Sequence, residues 1–355
     1  MPRLRELGLR IGDLDAGPSN SIADVGAVTV GHVTVWRDEP VVRTGVTAIV
    51  PARVDGLFRE PIPAGVAVLN GAGELTGSLQ IREWGTLDTS VYLASTMAVG
   101  RVFDGAVAVA IEADPAVGVD DVVIPVVGEC DDSWLSDART VHVEAEDAGR
   151  AVAAATAEVA EGAVGAGTGM VAFGRKAGIG TASRLVPDLD CTVGVLVLAN
   201  FGFARELRVD GVPVGRLLDA PVAERPPRPA GSCIVVGAID APLGPHQLER
   251  VARRAGLGLA RTGSTATHGS GEIFLAFATE GRRAREERRA RIAVDVVPDA
   301  ALNPLFTATV DATEEAVLNA LWAAPSVTGR DGHVAPALPH DDLLELLSAY
   351  RRLAP

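Results

Sequence analysis

The residues best suited to chemistry stand at one junction, where Gly231 and Ser232 join an irregular segment to an apolar one. Residues 218–231 (LDAPVAERPPRPAG) are rich in proline and charge, which predicts an exposed linker rather than a helix or a central strand. Residues 232–239 (SCIVVGAI) are apolar enough to predict a buried strand. Solvent-accessible chain and core therefore meet at a single peptide bond.

A serine placed directly after glycine at such a junction could cut its own chain. The Ser232 hydroxyl can attack the Gly231 carbonyl if that bond is accessible and strainable, and a glycine without Cβ makes this easier. The products would be residues 1–231 and 232–355. Ser232 would gain an α-amine with a typical pKa of about 7.7–8.0, which could act as its general base. From spacing alone, a Gly-Ser pair that only begins a strand is the simpler interpretation.

Cys233 is a rival nucleophile because thiols are intrinsically more reactive than hydroxyls. Side chains alternate along a strand, so Cys233 should point to the face opposite Ser232. The sequence therefore favours Ser232.

The surrounding pattern predicts the elements that would hold this junction. Residues 245–260 and the alanine-rich stretch at 142–164 predict helices, and residues 192–199 predict a buried strand that ends at Asn200. The other predicted elements are strands at 27–30, 47–50, 106–111, 273–279 and 290–296, and helices at 89–100, 312–324 and 341–353. This alternation predicts an α/β fold. Residues 1–355 read as one intertwined unit, because neither side of the linker carries a full set of covering elements.

Composition excludes several classes of function. Apolar residues make up 48% of the chain and aromatic ones only 4%, which predicts aliphatic sheets faced by alanine-rich helices. A net charge of -14 argues against a nucleic acid or an anionic membrane as partner. The three cysteines and six histidines lack metal-ligand spacing, so no metal is expected. No signal peptide or membrane-spanning run is apparent, and a soluble cytoplasmic protein is expected.

Glycine-rich motifs offer no cofactor site. GAGTG at 165–169 lacks the spacing of a dinucleotide fingerprint, and the segment that follows lacks the Lys-Ser/Thr pair of a phosphate loop. Both predict tight turns near the active centre, and no cofactor is expected.

Several longer motifs occur in a familiar order. PAGSCIVVGAIDAPL at 229–243 resembles the nucleophile segment of the DmpA-like family, the L-aminopeptidase/D-esterase/amidases and β-aminopeptidases, which mature by cutting before such a serine. The resemblance extends through NSIADV at 20–25, VGHVT at 30–34, NGAGE at 70–74, QIREWG at 80–85, GAGTGM at 165–170, GIGTAS at 178–183, LANFG at 198–202 and RTGSTATHGSGE at 261–272. Together they favour self-processing.

The resemblance also implies roles for single residues. Ser232 matches the nucleophile, and Ser270 with Glu272 match the hydroxyl and carboxylate that position and deprotonate it. Asn200 matches the donor to the oxyanion. Glu129 matches the acid that pairs with the substrate's free ammonium group.

The resemblance implies a fold and a reaction as well. The fold would be a four-layer α-β-β-α sandwich of the DmpA and ornithine acetyltransferase type, similar to N-terminal-nucleophile enzymes, with the units assembled as a homo-oligomer, often a tetramer. The reaction would be cofactor-free hydrolysis of an amide or ester in a small peptide or amino-acid derivative with a free amine. It would pass through an acyl-enzyme on Ser232.

The segment ECDDSW at 129–134 departs from the family pattern, which has an aromatic or apolar residue where Asp131 stands. Asp131 would add negative charge to the substrate pocket, which predicts a preference for polar or cationic side chains or a second contact to an ammonium group. Two other functions stay open. One is a self-processing acyltransferase resembling the ornithine acetyltransferases, which normally use threonine as nucleophile, and the other is an uncleaved, non-catalytic relative that binds a small molecule.

Overall fold

The computed structural model describes residues 2–223, 231–287 and 289–353. In that part of the chain the strands are β1 (Thr29–Asp38), β2 (Val41–Val50), β3 (Ile62–Gly71), β4 (Thr86–Leu87), β5 (Val91–Ser95), β6 (Val126–Cys130), β7 (Val171–Ala172), β8 (Arg175–Lys176), β9 (Ile179–Val186), β10 (Cys191–Asn200), β11 (Gly231–Ile239), β12 (Ser270–Ala278), β13 (Val327–Thr328) and β14 (Val334–Ala335). The α-helices are α1 (Val54–Leu57), α2 (Ser78–Trp84), α3 (Val99–Ala113), α4 (Glu146–Ala153), α5 (Val214–Leu217), α6 (Pro245–Arg261), α7 (Asn303–Trp322) and α8 (His340–Ala349).

Most strands belong to two sheets. The smaller sheet has the order β1-β2-β5-β6, and the larger has the order β4-β3-β12-β11-β10-β9. In the larger sheet β11 and β12 run parallel, whereas β11 and β10 are antiparallel. The start of β11 therefore lies beside the start of β12 and the end of β10.

Three apolar layers hold these sheets and helices together. Side chains between the two sheets include Ile49, Leu93, Leu198, Ile234 and Leu275. A second layer joins the outer face of the larger sheet to α6, α7 and α8, and a third joins the outer face of the smaller sheet to α3 and α4. The observed order is helices, sheet, sheet, helices, which confirms the four-layer α-β-β-α fold.

Close contacts between helices and sheets explain part of the glycine content. A Cβ on Gly180 of β9 would lie 2.0 Å from the Ala316 carbonyl oxygen in α7. A Cβ on Gly31 of β1 would lie 1.9 Å from the Ala151 carbonyl oxygen in α4. Glycine at these two positions lets each helix approach the sheet backbone directly.

One predicted helix is largely a strand, and one predicted strand is part of a helix. The helix predicted at 89–100 is wrong, because β5 occupies Val91–Ser95 and α3 begins only at Val99. The strand predicted at 106–111 is also wrong, because these residues lie inside α3. Both stretches are rich in alanine, valine and glycine, and short apolar runs do not distinguish a strand from a buried helix.

Other predictions differ in extent. The helix predicted at 142–164 is confined to Glu146–Ala153, and the chain then returns to the smaller sheet through a bridge between Val30 and Thr156. The strand predicted at 290–296 is wrong, since these residues are irregular and exposed. Strands β10, β11 and β12 and helix α6 lie where the sequence predicted them.

Only part of the predicted linker is described, since residues 224–230 lie outside the described ranges. Pro221 and Val222 are exposed, but Ala223 is buried and its amide donates to the Gly174 carbonyl at 2.8 Å. Gly231 is buried as the first residue of β11. Exposure therefore does not extend over the whole of 218–231. Among the described helices, none combines the length and apolarity needed to cross a bilayer.

Candidate active site

Ser232 lies at the start of a central strand and borders a cavity. The strand register pairs it with Asn200 of β10 on one side and with Gly271 of β12 on the other. Because side chains alternate, Ser232 faces the same way as Ile234, toward the smaller sheet. Ser232 lines an open cavity of about 710 Å³, so its hydroxyl can reach a small ligand.

Gly231 occupies a tight position between β11 and β10. A Cβ added there would lie 2.9 Å from the Asn200 carbonyl oxygen and 3.0 Å from the Phe201 Cα atom. Any larger residue would have to displace one of the two strands. Glycine thus allows the bond before Ser232 to lie against the end of β10.

Asn200 presents a fixed amide beside Ser232, because partners across an antiparallel pair share one face of the sheet. Its Oδ1 accepts a hydrogen bond from the Val171 amide at 2.9 Å, and its Nδ2 donates to the Asp131 carbonyl at 2.8 Å. The side chain is almost fully buried. A primary amide has two N–H donors, and only one of them has a partner among the described residues.

Ser270 and Glu272 form a buried pair at the start of β12. The Ser270 hydroxyl donates to Glu272 Oε1, while Glu272 Oε2 is buried without a hydrogen-bond partner among the described residues. Burial raises the pKa of the Glu272 carboxyl, and the hydrogen bond from Ser270 opposes this only in part. This carboxylate is therefore a stronger base than an exposed one and has an oxygen free to accept a proton donor.

The position of this pair differs from the expected one. Strand alternation places Ser270 and Glu272 on the helix-facing side of the sheet, with Phe274, whereas Ser232 faces the smaller sheet. Within the described ranges no hydrogen bond joins either side chain to the Ser232 hydroxyl. The register instead pairs Ser270 with Gly231, so the pair lies beside the backbone of the Gly231–Ser232 bond.

Glu129 lies in β6 and lines the same cavity as Ser232. Its Oε1 accepts a hydrogen bond from the Glu74 amide at 3.0 Å, and its Oε2 accepts one from the Thr96 hydroxyl. Burial raises the pKa of the Glu129 carboxyl, and the nearby charges of Asp131 and Glu74 raise it further. An oriented carboxylate of this kind can bind an ammonium group.

Asp131 also lines the cavity, and its side chain is partly held by the loop that follows β6. Its Oδ1 accepts a hydrogen bond from the Ser133 amide at 2.8 Å. Its backbone carbonyl is the acceptor for Asn200. Asp131 thus connects the amide beside Ser232 to the acidic wall of the cavity.

Cys233 points away from the cavity, as predicted. It is fully buried in the layer between the larger sheet and the helices. Burial raises the pKa of its thiol well above the usual range, with a further contribution from the Glu272 charge. The thiol is therefore kept protonated and out of reach of a ligand in the cavity.

The glycine motif at 165–169 forms a buried 3-10 turn. The Lys176 ammonium group stabilises this turn by donating hydrogen bonds to the carbonyls of Gly167 and Met170 at 3.0 and 2.9 Å. Val171, two positions after the motif, has the backbone amide that donates to Asn200 Oδ1. The motif thus belongs to the support of the site.

No motif predicts a role for three further cavity residues, Thr96, Arg139 and Arg330. Thr96 fell within a stretch interpreted as helix, and the two arginines lie in loops without a motif. The described residues contain no cluster of three or more His, Cys, Asp or Glu side chains arranged to hold a metal.

Known proteins support one assignment. The model of Peptidase family S58 matches residues 20–335. The β-peptidyl aminopeptidase BapA of Sphingosinicella microcystinivorans is 40% identical over 99% of this chain and 93% of that protein. A Burkholderia sp. β-aminopeptidase structure superposes with a TM-score of 0.91 at 43% identity, covering 98% of this chain and 99% of that one. The L-aminopeptidase D-Ala-esterase/amidase of Ochrobactrum anthropi, described as a variant of the Ntn hydrolase fold, superposes with a TM-score of 0.93 at 37% identity over the whole of both chains. The chain belongs to peptidase family S58 and is a hydrolase, a serine aminopeptidase/amidase.

Proposed function

We propose that the chain cuts its own Gly231–Ser232 bond and then uses Ser232 to hydrolyse amides or esters next to a residue with a free amine. The observation that carries the proposal is the position of Ser232, at the start of a buried central strand and on the wall of a cavity that also contains Glu129. The Ser232 hydroxyl, the Asn200 amide and the buried pair of the Ser270 hydroxyl and the Glu272 carboxylate all lie at this end of the sheet.

In the first reaction the Ser232 hydroxyl oxygen adds to the Gly231 carbonyl carbon. The Gly231–Ser232 amide bond then breaks, which leaves Gly231 as an ester on Ser232 and frees the Ser232 amine. Water hydrolyses this ester, releases the Gly231 carboxylate and restores the hydroxyl. The free N–H of Asn200 donates to the negative oxygen of each tetrahedral intermediate.

In the second reaction the Ser232 amine accepts the proton of its own hydroxyl as the oxygen attacks the substrate carbonyl. The Ser270–Glu272 pair, whose strand is in register with Gly231 and Cys233, binds the ammonium that forms. The buried Glu272 Oε2 has no hydrogen-bond partner among the described residues and is a suitable acceptor for it. The substrate's C–N or C–O bond then breaks, and the amine or alcohol leaves with a proton from the Ser232 ammonium group. Water hydrolyses the ester that remains on Ser232, which releases the acid and restores the hydroxyl.

Substrate choice follows from the acidic wall of the cavity. Glu129 binds the substrate's ammonium group, and Asp131 adds a second negative charge that favours polar or cationic side chains. The names of the relatives, β-peptidyl aminopeptidases and an L-aminopeptidase D-Ala-esterase/amidase, support a small peptide or amino-acid derivative as substrate. None of these steps requires a cofactor.

The proposal includes a setting in the cell and an assembly. A cytoplasmic location is supported by the net charge of -14 and by three cysteines that are buried and form no disulfide with one another. Assembly with copies of the same chain, as the tetramer that the family resemblance implies, is supported by exposed apolar side chains such as Leu69 of β3 and Leu257 of α6.

The test is the intact mass of the purified wild-type chain beside that of Ser232→Ala. Sharing 36.6 kDa by length, the wild type should give fragments of roughly 24 kDa and roughly 13 kDa. The smaller fragment should begin at Ser232, and the variant should stay whole. A wild-type chain that also stays whole would refute Ser232 as the residue that cuts.

A further inference from the structure

The cavity at Ser232 is lined by side chains of both charges. Glu129 and Asp131 supply carboxylates, and Arg139 and Arg330 supply guanidinium groups. The substrate ammonium group accounts for the acids but leaves the two arginines without a partner in the proposed reaction.

Arg330 is held in place by the loop that follows β6. Its backbone amide donates to the Leu135 carbonyl at 2.9 Å. Beside it, the His333 ring stacks on Trp134 with ring centroids 3.7 Å apart, and His333 Nδ1 bonds the Trp134 carbonyl at 2.8 Å. This loop is the segment whose sequence departs from the family pattern, and it fixes the position of Arg330 at the cavity.

Both guanidinium groups have donors to spare. Arg330 Nε is buried without a hydrogen-bond partner among the described residues. Arg330 forms a long ion pair with the exposed Asp331 carboxylate at 3.8 Å, beyond hydrogen-bonding distance, so its N–H donors stay available. Arg139 is exposed and forms no ion pair with any described residue. A guanidinium carries five N–H donors in a planar fork that matches a carboxylate.

We infer that Arg330 and Arg139 form a carboxylate subsite, so that the enzyme prefers short peptides with a free C-terminal carboxylate over the corresponding amides. The inference rests on the proposed function, since it extends the same cavity beyond the bond that Ser232 attacks. The substrate is then a zwitterion, with its ammonium group on Glu129 and its carboxylate on the arginines.

The size of the cavity is consistent with this occupant. Its volume of about 710 Å³ lies within the range of pockets that enclose small molecules. A dipeptide carries one ammonium and one carboxylate group, and the cavity offers carboxylates to the first and guanidinium groups to the second.

The experiment compares L-alanyl-L-alanine and β-alanyl-L-alanine with their C-terminal amides. The quantity measured is the ratio of kcat/KM for the free acid to kcat/KM for the amide. For the wild type this ratio should be about ten, which is the factor that one charge-assisted hydrogen bond would give. Arg330→Ala should lower the ratio by about tenfold, Arg139→Ala should lower it less because that side chain is exposed, and Arg330→Lys should restore part of it.

Arg291→Ala is the matched control. Arg291 is also exposed, but its neighbour Ile292 lines a separate cavity with Pro242 and Leu243, which follow the end of β11 opposite Ser232, so the ratio should stay at the wild-type value. Equal hydrolysis of acid and amide by the wild type, or a ratio that Arg330→Ala leaves unchanged, overturns the inference alone. Failure of the wild type to hydrolyse any of the four compounds overturns the proposed function and the inference with it.

Discussion

Asn200 allows the contributions of one side chain to catalysis and to stability to be separated. Asn200→Ala removes the N–H proposed to donate to the oxyanion, and loss of one such donor lowers kcat by roughly 10²–10³-fold, or about 2.7–4 kcal/mol. It also removes the acceptor of the Val171 amide and the donor to the Asp131 carbonyl. Each buried group left without its partner costs about 1–3 kcal/mol, so the free energy of unfolding should fall by about 2–6 kcal/mol.

The assay needs three measurements on Asn200→Ala. Intact mass over time gives the rate of self-cleavage, steady-state kinetics on the cleaved fraction give kcat and KM, and thermal unfolding gives the change in Tm. Both self-cleavage and kcat should fall, because both reactions form an oxyanion beside Asn200. KM should change little.

Asn319→Ala is the control for stability. Asn319 is equally buried, in α7, and does not line the cavity. Its Nδ2 donates a hydrogen bond to the Thr181 carbonyl at 2.9 Å. Tm should fall while kcat stays at the wild-type value. The reasoning about Asn200 is refuted if Asn200→Ala keeps its kcat and only KM rises, or if Asn319→Ala loses kcat to the same extent.

Two further predictions concern residues on the opposite face of the sheet. In the uncut chain burial raises the pKa of Glu272, so its ionisation weakens folding as the pH rises above the ordinary range of a glutamate. Glu272→Gln should therefore lower kcat, and in the uncut Ser232→Ala background it should raise Tm by a margin that grows from pH 4 to pH 8. A margin that shrinks over this range would contradict the burial of the charge. Cys233→Ala should cost about 1 kcal/mol of core packing and still cut itself and hydrolyse substrate, as mass and kinetics can show; an inactive, well-folded variant would return Cys233 to the active site.

The junction and its neighbours could be predicted from the sequence because their signals are local. The apolar run after Ser232, its alternation with Cys233 and the strand before Asn200 each follow from a few consecutive residues. The structure places Ser232 and Glu129 on the wall of one cavity and Asn200 beside Ser232 in the strand register, whereas the roles of all three stay predictions.

What the sequence could not predict depends on contacts between distant segments. The side of the sheet on which Glu272 lies depends on the register of β12 against β11, which no motif encodes. Arg330 reaches the cavity through its loop's packing on Leu135, almost 200 residues earlier in the chain. The stretch containing Thr96 was misassigned because its small apolar residues suit a buried helix and a strand equally.

The strand order of the larger sheet has a consequence for what happens after the proposed cut. Its central pair, β12 and β11, belongs to residues 232–355, while β4 and β3 on one side and β10 and β9 on the other belong to residues 1–231. Neither fragment can leave without breaking hydrogen bonds along the middle of the sheet. The precursor can fold as a single chain, but the cut enzyme can refold only when its two fragments associate. Recovery after heating therefore depends on protein concentration. After the proposed cleavage, folding requires two fragments to associate, so dilute protein would not recover once the fragments have separated.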